Sequence, residues 1–330
     1  MLNPDAHLHT DIFDAEKLEQ APTRDGFGNG AVEAGKADER VVVLCADLAE
    51  STRAEWFQKE FPERYIEMGV AEQNMATVAS GLANYGKIPF ITSYAAFSPG
   101  RNFEQIRTTI ALNDVPVIVC GMHAGVSVGP DGATHQPLED IAMMRALPNM
   151  IVVAPCDAEE ARKATVAAAK LGKPVYLRFA RANTPVFTTK ETPFGIGKAE
   201  VFWKSENPQV SIVACGALVH NALLAARELE KEGVSVLVIN SHTIKPLDED
   251  TILKAVKETG AVVTVEEHQK IGGLGSAVAE LLSQKLPTPI EFVGVSDQFG
   301  QSGEPEELIA HYGLDTPAIV RAVKRVVARQ

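Results

Sequence analysis

Two histidines and an aspartate lie close together in a glycine-rich stretch, and side chains of these types can bind or protonate a polar ligand. The stretch reads HAGVSVGPDGATH over residues 123–135 and follows an apolar run that ends at Cys120. Imidazole and carboxylate groups are also zinc ligands, but no helical or CxxC spacing accompanies them here. A structural loop with satisfied histidines is the plainer alternative. We favour a functional role for His123, Asp131 and His135, because packing alone does not explain such residues in a flexible loop.

A carboxylate and two aromatic rings form a second group of candidates. Glu72 begins a helix of small residues within GVAEQN, residues 69–74, where a carboxylate also simply complements the helix dipole. Tyr94 and Phe97 lie at a strand end within TSYAAF, and each alone is more often a core side chain. A flat heteroaromatic ligand would use such rings at this position. For each of these residues the pattern leaves a structural and a ligand-binding interpretation open.

Scattered polar residues form a third group, whose members are Arg24, Ser51, Arg178 and Arg181. Any one of them is more often a solvated surface group. Together they could clamp a phosphate, because the planar guanidinium group matches phosphate oxygens well.

The elements that must position these residues alternate between strand and helix. In the first half we predict strands over 41–46, 89–96, 115–120, 150–154 and 175–179, and helices over 72–85, 102–112, 138–147 and 158–171. In the second half we predict strands over 210–215, 234–239, 261–266 and 290–293, and helices over 218–232, 249–258, 275–286 and 317–328. This alternation predicts an α/β protein with two domains, each a mainly parallel sheet flanked by helices.

The expected organisation is an N-terminal arm (1–22), a first domain (23–181), a linker (182–198) rich in proline and glycine, and a second domain (199–330). Ligands of such sheets bind beyond the carboxyl ends of the strands. The loops after Cys45, Phe90, Cys120 and Phe179 are therefore where we expect the site.

Composition excludes some classes of function. Of the 330 residues, 45% are hydrophobic and 22% charged, as in a globular protein, and the net charge of −12 disfavours nucleic acid or an anionic membrane as the main partner. No apolar run approaches the roughly 20 residues that span a bilayer, and no signal peptide is evident, so a cytoplasmic location is expected. The four cysteines are far apart, which predicts buried reduced thiols.

Taken in order, the motifs resemble the pyrimidine-binding and C-terminal domains of transketolases. The resemblance is carried by GVAEQN, SYAAF, YLRFAR (176–181) and the stretch HAGVSVGPDGATH (123–135), which we call the histidine loop. It is most specific over residues 40–181 and covers nearly the whole chain from about Arg24. SHTIKPLD (241–248), VEEH (265–268) and GGLG (272–275) are shared with a broader set of thiamine enzymes. The stretch Ser98-Pro99-Gly100 is longer than the family's usual one, which leaves the role of Arg101 open. Tyr94 stands where phenylalanine is frequent.

The resemblance implies that the chain uses thiamine diphosphate to move a two-carbon ketol unit between sugar phosphates. It implies that Glu72 hydrogen-bonds the ring nitrogen of the cofactor's aminopyrimidine and that Phe97 stacks on this ring. Tyr94 would be the second aromatic residue of the pocket, and Asp47 a carboxylate close to the cofactor. Glu72 and His123 would be the catalytic residues.

The resemblance also assigns the substrate contacts. His123 and Asp131 would hydrogen-bond the sugar hydroxyls. The contacts to the phosphate end would come from Arg24, Ser51, His135 and Arg181.

The diphosphate side of the cofactor site has no counterpart in this sequence. Transketolases bind the diphosphate through Mg²⁺ with a Gly-Asp-Gly motif, and Pro130-Asp131-Gly132 does not match it. We therefore expect no metal ligands in this chain and a partner chain, an N-terminal transketolase subunit, that supplies them. The family's architecture implies a dimer of this chain within an α2β2 heterotetramer.

Three alternatives remain. A β-subunit of a 2-oxoacid dehydrogenase decarboxylase component has the same two domains but no need for His123, Asp131, His135 and Arg181. The corresponding half of a deoxyxylulose-phosphate synthase has a different histidine loop. A non-catalytic scaffold chain of the same fold is disfavoured by intact Glu72, Phe97 and His123.

Overall fold

The computed structural model describes residues 1–14 and 16–329, which alternate between strands and helices as the sequence predicts. The first half contains β1 (Gln20–Ala21), α1 (Thr23–Ala37), β2 (Val41–Cys45), α2 (Ala49–Thr52), α3 (Ala54–Glu60), β3 (Tyr65–Glu67), α4 (Glu72–Asn84), β4 (Ile88–Tyr94), α5 (Phe103–Gln105), β5 (Ile118–Met122), α6 (Asp140–Arg145), β6 (Ile151–Val153), α7 (Ala158–Lys170), β7 (Val175–Arg178) and β8 (Thr184–Pro185).

The second half contains β9 (Glu200–Lys204), β10 (Val210–Ala214), α8 (Leu218–Lys231), β11 (Val236–Asn240), β12 (Thr243–Lys245), α9 (Glu249–Thr259), β13 (Val262–Gln269), α10 (Leu274–Lys285), β14 (Ile290–Val295), α11 (Pro305–His311) and α12 (Thr316–Val327). Short 3₁₀ turns cover Pro4–Ala6, Pro62–Arg64, Val126–Val128 and Ala133–His135, and a π-helical segment covers Ile106–Ala111.

The first sheet has seven strands in the order β12-β6-β7-β5-β4-β2-β3. All of its neighbouring pairs are parallel except β12 with β6, which are antiparallel. Every residue of β2 and β5 is buried, as expected for central parallel strands covered on both faces. The ladder of β5 begins at Ile118 rather than at 115, because Pro116 has no N–H group to donate.

The second sheet has five strands in the order β14-β13-β10-β11-β9, of which β9 alone is antiparallel to its neighbour. The N-terminal arm lies against this half of the molecule. Asn3 donates its backbone N–H to Phe202 O over 2.9 Å, and Ala6, Ile12 and Leu18 are buried in the core on that side.

One apolar core connects the two halves. It includes Leu44 and Ile91 from the first sheet together with Ile239 and Leu274 from the second half. The short strand β12 comes from the second half but pairs with β6 at the edge of the first sheet. Within the predicted linker, β8 pairs with β1.

Candidate functional site

Four neighbouring strands of the first sheet bring the predicted residues to one edge. The order β7-β5-β4-β2 and its parallel pairing place the segments after these strands side by side. These segments carry Ser51, Phe97, His123 and Arg181, while Tyr94 ends β4 itself. The geometry follows the rule for open α/β sheets, in which sites form at the carboxyl ends of strands.

Four rings at this edge contact one another. The rings of Tyr94 and His123 are stacked with centroids 3.9 Å apart. Phe97 lies 6.1 Å from Tyr94 in a stacked arrangement, and the ring of His135 meets Phe97 edge-on at 5.3 Å. The structure therefore gathers two predicted aromatic residues and two predicted histidines into one cluster that suits a flat ligand.

The imidazole of His123 is neutral and buried. Burial, followed by the positive charges of Arg24, Arg181 and Arg53, lowers the pKa of His123 to about 3. Nη1 of Arg24 donates to Nε2 over 3.3 Å, so the ring proton is on Nδ1, for which the described residues offer no acceptor. His123 also has a positive φ of 55°, a left-handed backbone conformation that is uncommon for residues other than glycine. The site thus holds an imidazole N–H for which residues 1–14 and 16–329 offer no acceptor.

Three guanidinium groups give one end of the site a positive charge. Burial lowers the pKa of Arg24, and the nearby charges of Arg53 and Arg181 lower it further. Nη1 of Arg24 donates to Ser51 O over 2.8 Å, Arg181 donates to Val128 O over 3.1 Å, and Arg53 pairs with Asp25 over 2.6 Å. One carboxylate thus faces three cations, which leaves a net positive charge for an anionic ligand. Arg53 was not predicted from the sequence.

Glu72 is the first residue of α4, and its side chain is only 2% exposed. Arg101 donates to its Oε2 over 2.7 Å, and Ser93 Oγ lies 3.5 Å from Oε1. The side-chain amide of Asn102 donates to the backbone oxygen of Glu72 over 3.0 Å. The sequence predicted Glu72 and left the role of Arg101 open; the structure makes Arg101 the direct partner of this carboxylate.

Asp47 and Asp131 are exposed, the first shortly after β2 and the second in the histidine loop. The backbone of Asp47 has a φ of 58°, and its N–H donates to Glu67 Oε1 over 2.8 Å. Among the described residues, neither carboxylate of these two aspartates has a hydrogen bond or an ion pair. Both are therefore free to face a ligand or a partner.

Arg178 is held away from the three guanidinium groups. Its Nε donates to Asp140 Oδ2 over 2.8 Å, and its Nη2 donates to the backbone oxygen of Glu267 over 2.8 Å. Tyr176 adds a 2.6 Å bond to the same Asp140 oxygen. Arg178 therefore holds a buried contact between the two halves, and it is not part of a phosphate clamp.

The histidine loop rests on the second half of the chain. The Ser127 N–H donates to Glu267 Oε1 over 2.6 Å. The two N–H groups of Gln136 Nε2 are shared among the backbone oxygens of Val126, Gly129 and Gln301, which lie 3.0–3.1 Å away. Burial raises the pKa of Glu267, and the Arg178 charge opposes this rise. VEEH, which the sequence marked only as a shared motif, therefore supplies an anchor for the loop.

Two further features concern metals and membranes. Across residues 1–14 and 16–329, no three His, Cys, Asp or Glu side chains converge in a way that could hold a metal ion. Within the same ranges, no helix has the length and apolar character needed to cross a membrane. All four cysteines are free and buried, as predicted.

Comparison with known protein families gives two matches along the chain. Residues 19–186 match the model described as "Transketolase, pyrimidine binding domain". Residues 197–319 match the model described as "Transketolase, C-terminal domain".

Individual relatives agree with these matches. A "Putative transketolase C-terminal section" of Methanocaldococcus jannaschii is 42% identical over 93% of this chain and 96% of its own length. The "6-deoxy-6-sulfo-D-fructose transketolase subunit SqwH" of a Clostridium species is 39% identical over 95% of this chain and 97% of its own length. A solved structure described as "Split gene transketolase, inactive beta4 tetramer" superposes with a TM-score of 0.87 at 43% identity, covering 93% of this chain and 98% of that one.

Proposed function

We propose a function from one premise: this chain belongs to the transketolase family, as a C-terminal subunit of the split type. In the proposal, it transfers a two-carbon ketol unit from a ketose phosphate to an aldose phosphate, with thiamine diphosphate, once it is joined to an N-terminal subunit. The observation that carries the proposal is the meeting of the buried Glu72 carboxylate, the ring cluster and the guanidinium groups at one sheet edge.

The residues of this chain suit the pyrimidine half of the cofactor. Glu72 would hold a proton on the ring nitrogen of the aminopyrimidine, and Phe97 and Tyr94 would enclose the ring, with Asp47 at the margin. Thiamine diphosphate, when bound, supplies the electron sink for breaking and forming the carbon–carbon bond. In the proposal, the partner subunit provides the Mg²⁺ ligands and binds the diphosphate.

The substrate contacts follow from charge and donor type. The unpaired Nδ1–H of His123 would donate to a sugar hydroxyl or carbonyl oxygen, and Asp131 would accept from a hydroxyl. The phosphate would bind at the positive end, through a group of residues that comprises Arg24, Ser51, His135 and Arg181.

The assembly that we propose is an α2β2 heterotetramer in which this chain contributes a pyrimidine-binding domain (23–181), a linker (182–198), a C-terminal domain (199–330) and the arm (1–22). The support for it is the similarity to relatives described as a transketolase C-terminal section and a split gene transketolase. A cytoplasmic location is part of the proposal.

A second candidate substrate has support from one relative. The relative named as a 6-deoxy-6-sulfo-D-fructose transketolase subunit is 39% identical to this chain, and a sulfonate would bind the same guanidinium groups as a phosphate. The positive end of the site therefore fits either anion.

The test is co-expression with the N-terminal subunit, followed by an assay of ketol transfer from xylulose 5-phosphate to ribose 5-phosphate with thiamine diphosphate and Mg²⁺. We expect activity only from the mixture, and a loss of about 100-fold or more in kcat for Glu72→Ala. Glu63→Ala, which removes an exposed carboxylate, is the matched control. Transfer from a 6-sulfo ketose but not from the phosphate would select the second substrate. Activity of this chain alone, or an unchanged Glu72→Ala rate, would contradict the proposal.

A further inference from the structure

Arg101 is the strong partner of the Glu72 carboxylate. Its Nη1 lies 2.7 Å from Oε2, whereas Ser93 Oγ is 3.5 Å from Oε1. The two side chains differ in burial, because Glu72 is 2% exposed and Arg101 is 47% exposed. A side chain that is half in solvent thus satisfies a carboxylate that is almost completely buried.

The same guanidinium also lies on an aromatic face. The Cζ atom of Arg101 is 4.6 Å from the centroid of the Phe97 ring, a cation–π geometry. Arg101 therefore makes one contact with a carboxylate and one with an aromatic ring. In the proposed function, the aminopyrimidine ring of the cofactor makes these same two contacts, with Glu72 and Phe97.

A guanidinium and an aminopyrimidine resemble each other in the features that these contacts recognise. Both are flat and present N–H donors in their plane. The guanidinium is always cationic, and the aminopyrimidine is cationic when its ring nitrogen is protonated. We infer that Arg101 occupies the pyrimidine position in the absence of cofactor and is displaced when the cofactor binds. This inference rests on the proposed function and makes Arg101 a determinant of cofactor affinity.

The displacement requires movement of a single side chain. Asn102 anchors the adjoining backbone, because its amide donates to Glu72 O over 3.0 Å and to Ser98 Oγ over 3.1 Å. The Arg101 N–H donates to Phe97 O over 3.0 Å, which fixes the turn that carries it. The guanidinium, in contrast, has an open path to solvent, so it can leave while Glu72 and Phe97 stay in place.

Competition of this kind raises the apparent Kd for the cofactor, which equals the intrinsic Kd divided by the fraction of molecules in which the pyrimidine position is open. A half-exposed ion pair with a cation–π contact is of modest strength. We therefore expect the pair to weaken cofactor binding about fivefold to tenfold.

The experiment is calorimetric titration of thiamine diphosphate, at constant Mg²⁺, into the complex of this chain with its N-terminal subunit. We expect Arg101→Gln to lower the apparent Kd about fivefold to tenfold relative to the unmodified complex. Arg107→Gln is the matched control, because it removes the same charge from an exposed position six residues along and should leave the Kd unchanged.

The same substitution in a Glu72→Gln complex distinguishes competition for the pyrimidine position from a general structural effect of changing Arg101. In a Glu72→Gln complex the guanidinium has lost its anionic partner, so adding Arg101→Gln should change the Kd less than about twofold. Equal or weaker binding by Arg101→Gln in the unmodified background would overturn the inference, as would an equal gain in both backgrounds. Absence of saturable binding in the unmodified complex would instead overturn the proposed function on which the inference rests.

Discussion

At the scale of single residues, His123 is set up as a neutral hydrogen-bond donor rather than as a cation. Its ring is buried, stacks on Tyr94 and faces the guanidinium of Arg24 through Nε2. The loss of water on burial, and after it the positive charge of Arg24, disfavour the charged imidazole, which is why the pKa of His123 falls to about 3. The ring therefore keeps its neutral charge across neutral pH, and in the proposed function it orients a substrate oxygen in that state.

This protonation state gives a pH prediction. Because the pKa of His123 lies near 3, its ring resonances should not shift between pH 8 and pH 5 in an NMR titration of the chain, with the assignment taken from His123→Gln. Arg24→Gln should raise the pKa of His123 toward its ordinary value, since one of the opposing charges is removed. Arg40→Gln, remote and exposed, should leave it unchanged. A midpoint between pH 6 and pH 7 for His123 in the unmodified chain would refute this prediction.

The members of the site were predictable to different degrees. His123 and His135 stand out because packing does not explain histidines in a glycine-rich loop, and the structure brings both into the ring cluster. Arg101 and Arg53 were not assigned roles, because an arginine in an exposed segment has no pattern that sets it apart from a solvated one. Their partners, Glu72 and Asp25, lie 29 and 28 residues away, a separation that no local periodicity encodes.

At the scale of elements, the histidine loop is held between the two halves of the chain. Gly125 has a φ of 93°, and a Cβ atom there would lie 2.3 Å from Glu267 Oε1. The glycine thus allows the backbone to approach the carboxylate closely enough for the 2.6 Å bond from Ser127 N–H. Glu267 therefore positions the histidine loop, and in the proposed function it acts on the substrate only through that loop.

Gly125→Ala should therefore disturb both stability and activity. The new Cβ atom combines an unfavourable backbone conformation with a collision against Glu267, so we expect a loss of about 2–3 kcal/mol in the free energy of unfolding. Movement of His123 by about 1 Å should lower kcat/KM for ketol transfer about 100-fold. Urea unfolding and the transfer assay on the reconstituted complex measure the two effects.

Gly233→Ala provides the matched control for this substitution. Gly233 also has a positive φ, of 79°, but a Cβ atom there would have no neighbour within 4 Å in the part of the chain that the structure describes. This variant should lose only about 1 kcal/mol of stability and retain the transfer rate. Equal behaviour of the two variants would mean that the contact with Glu267 does not position the loop.

The central strands were predictable and several other elements were not. Runs such as Val41–Cys45 are apolar throughout, as buried parallel strands require. Helix α1 was not predicted from the sequence, because Gly26, Gly28 and Gly30 lower the helical propensity of this segment. Tertiary contacts override that propensity: a Cβ atom at Gly26 would lie 2.1 Å from Ala158 O, so the glycine permits α1 to pack tightly on α7. The helix predicted over 102–112 is present, but it is π-helical over Ile106–Ala111. The spacing of apolar residues in the sequence does not distinguish a short π-helical segment from an α-helix.

At the scale of the whole molecule, buried polar groups join the two halves. Glu160 in α7 is 2% exposed and accepts from the Asn240 amide, at the end of β11, over 2.7 Å. Its other oxygen accepts from Cys156 N–H over 2.7 Å. The neighbouring Asp157 is also buried, and its carboxylate accepts from the backbone of Phe187 and Thr188. Two buried carboxyl groups thus lie together at the contact between the halves.

Protonation of Glu160 should couple this interface to pH. Burial and the nearby charge of Asp157 raise the pKa of Glu160 from 4.5 to about 7. The Oδ1 atom of Asn240 is buried and has no partner among the described residues, so a turn of the amide would let it accept from a protonated Glu160. The folded chain then retains a proton that the unfolded chain releases, and folding stability falls as pH rises from 4.5 to 7.

Glu160→Gln should remove this dependence. The neutral amide resembles the protonated acid and can donate to Asn240 Oδ1 after the same turn of that amide, so at pH 5 the variant should be about as stable as the unmodified chain. By pH 8 the unmodified chain bears the full cost of a buried charge, and the variant should be relatively more stable by about 3 kcal/mol. Urea midpoints at pH 5, 6.5 and 8 measure the difference, with exposed Glu63→Gln as the control that should show no such trend. A difference between variant and unmodified chain that stays constant from pH 5 to 8 would mean that Glu160 is ionised throughout, its charge stabilised by the donors of Asn240 and Cys156 at this contact between the two halves.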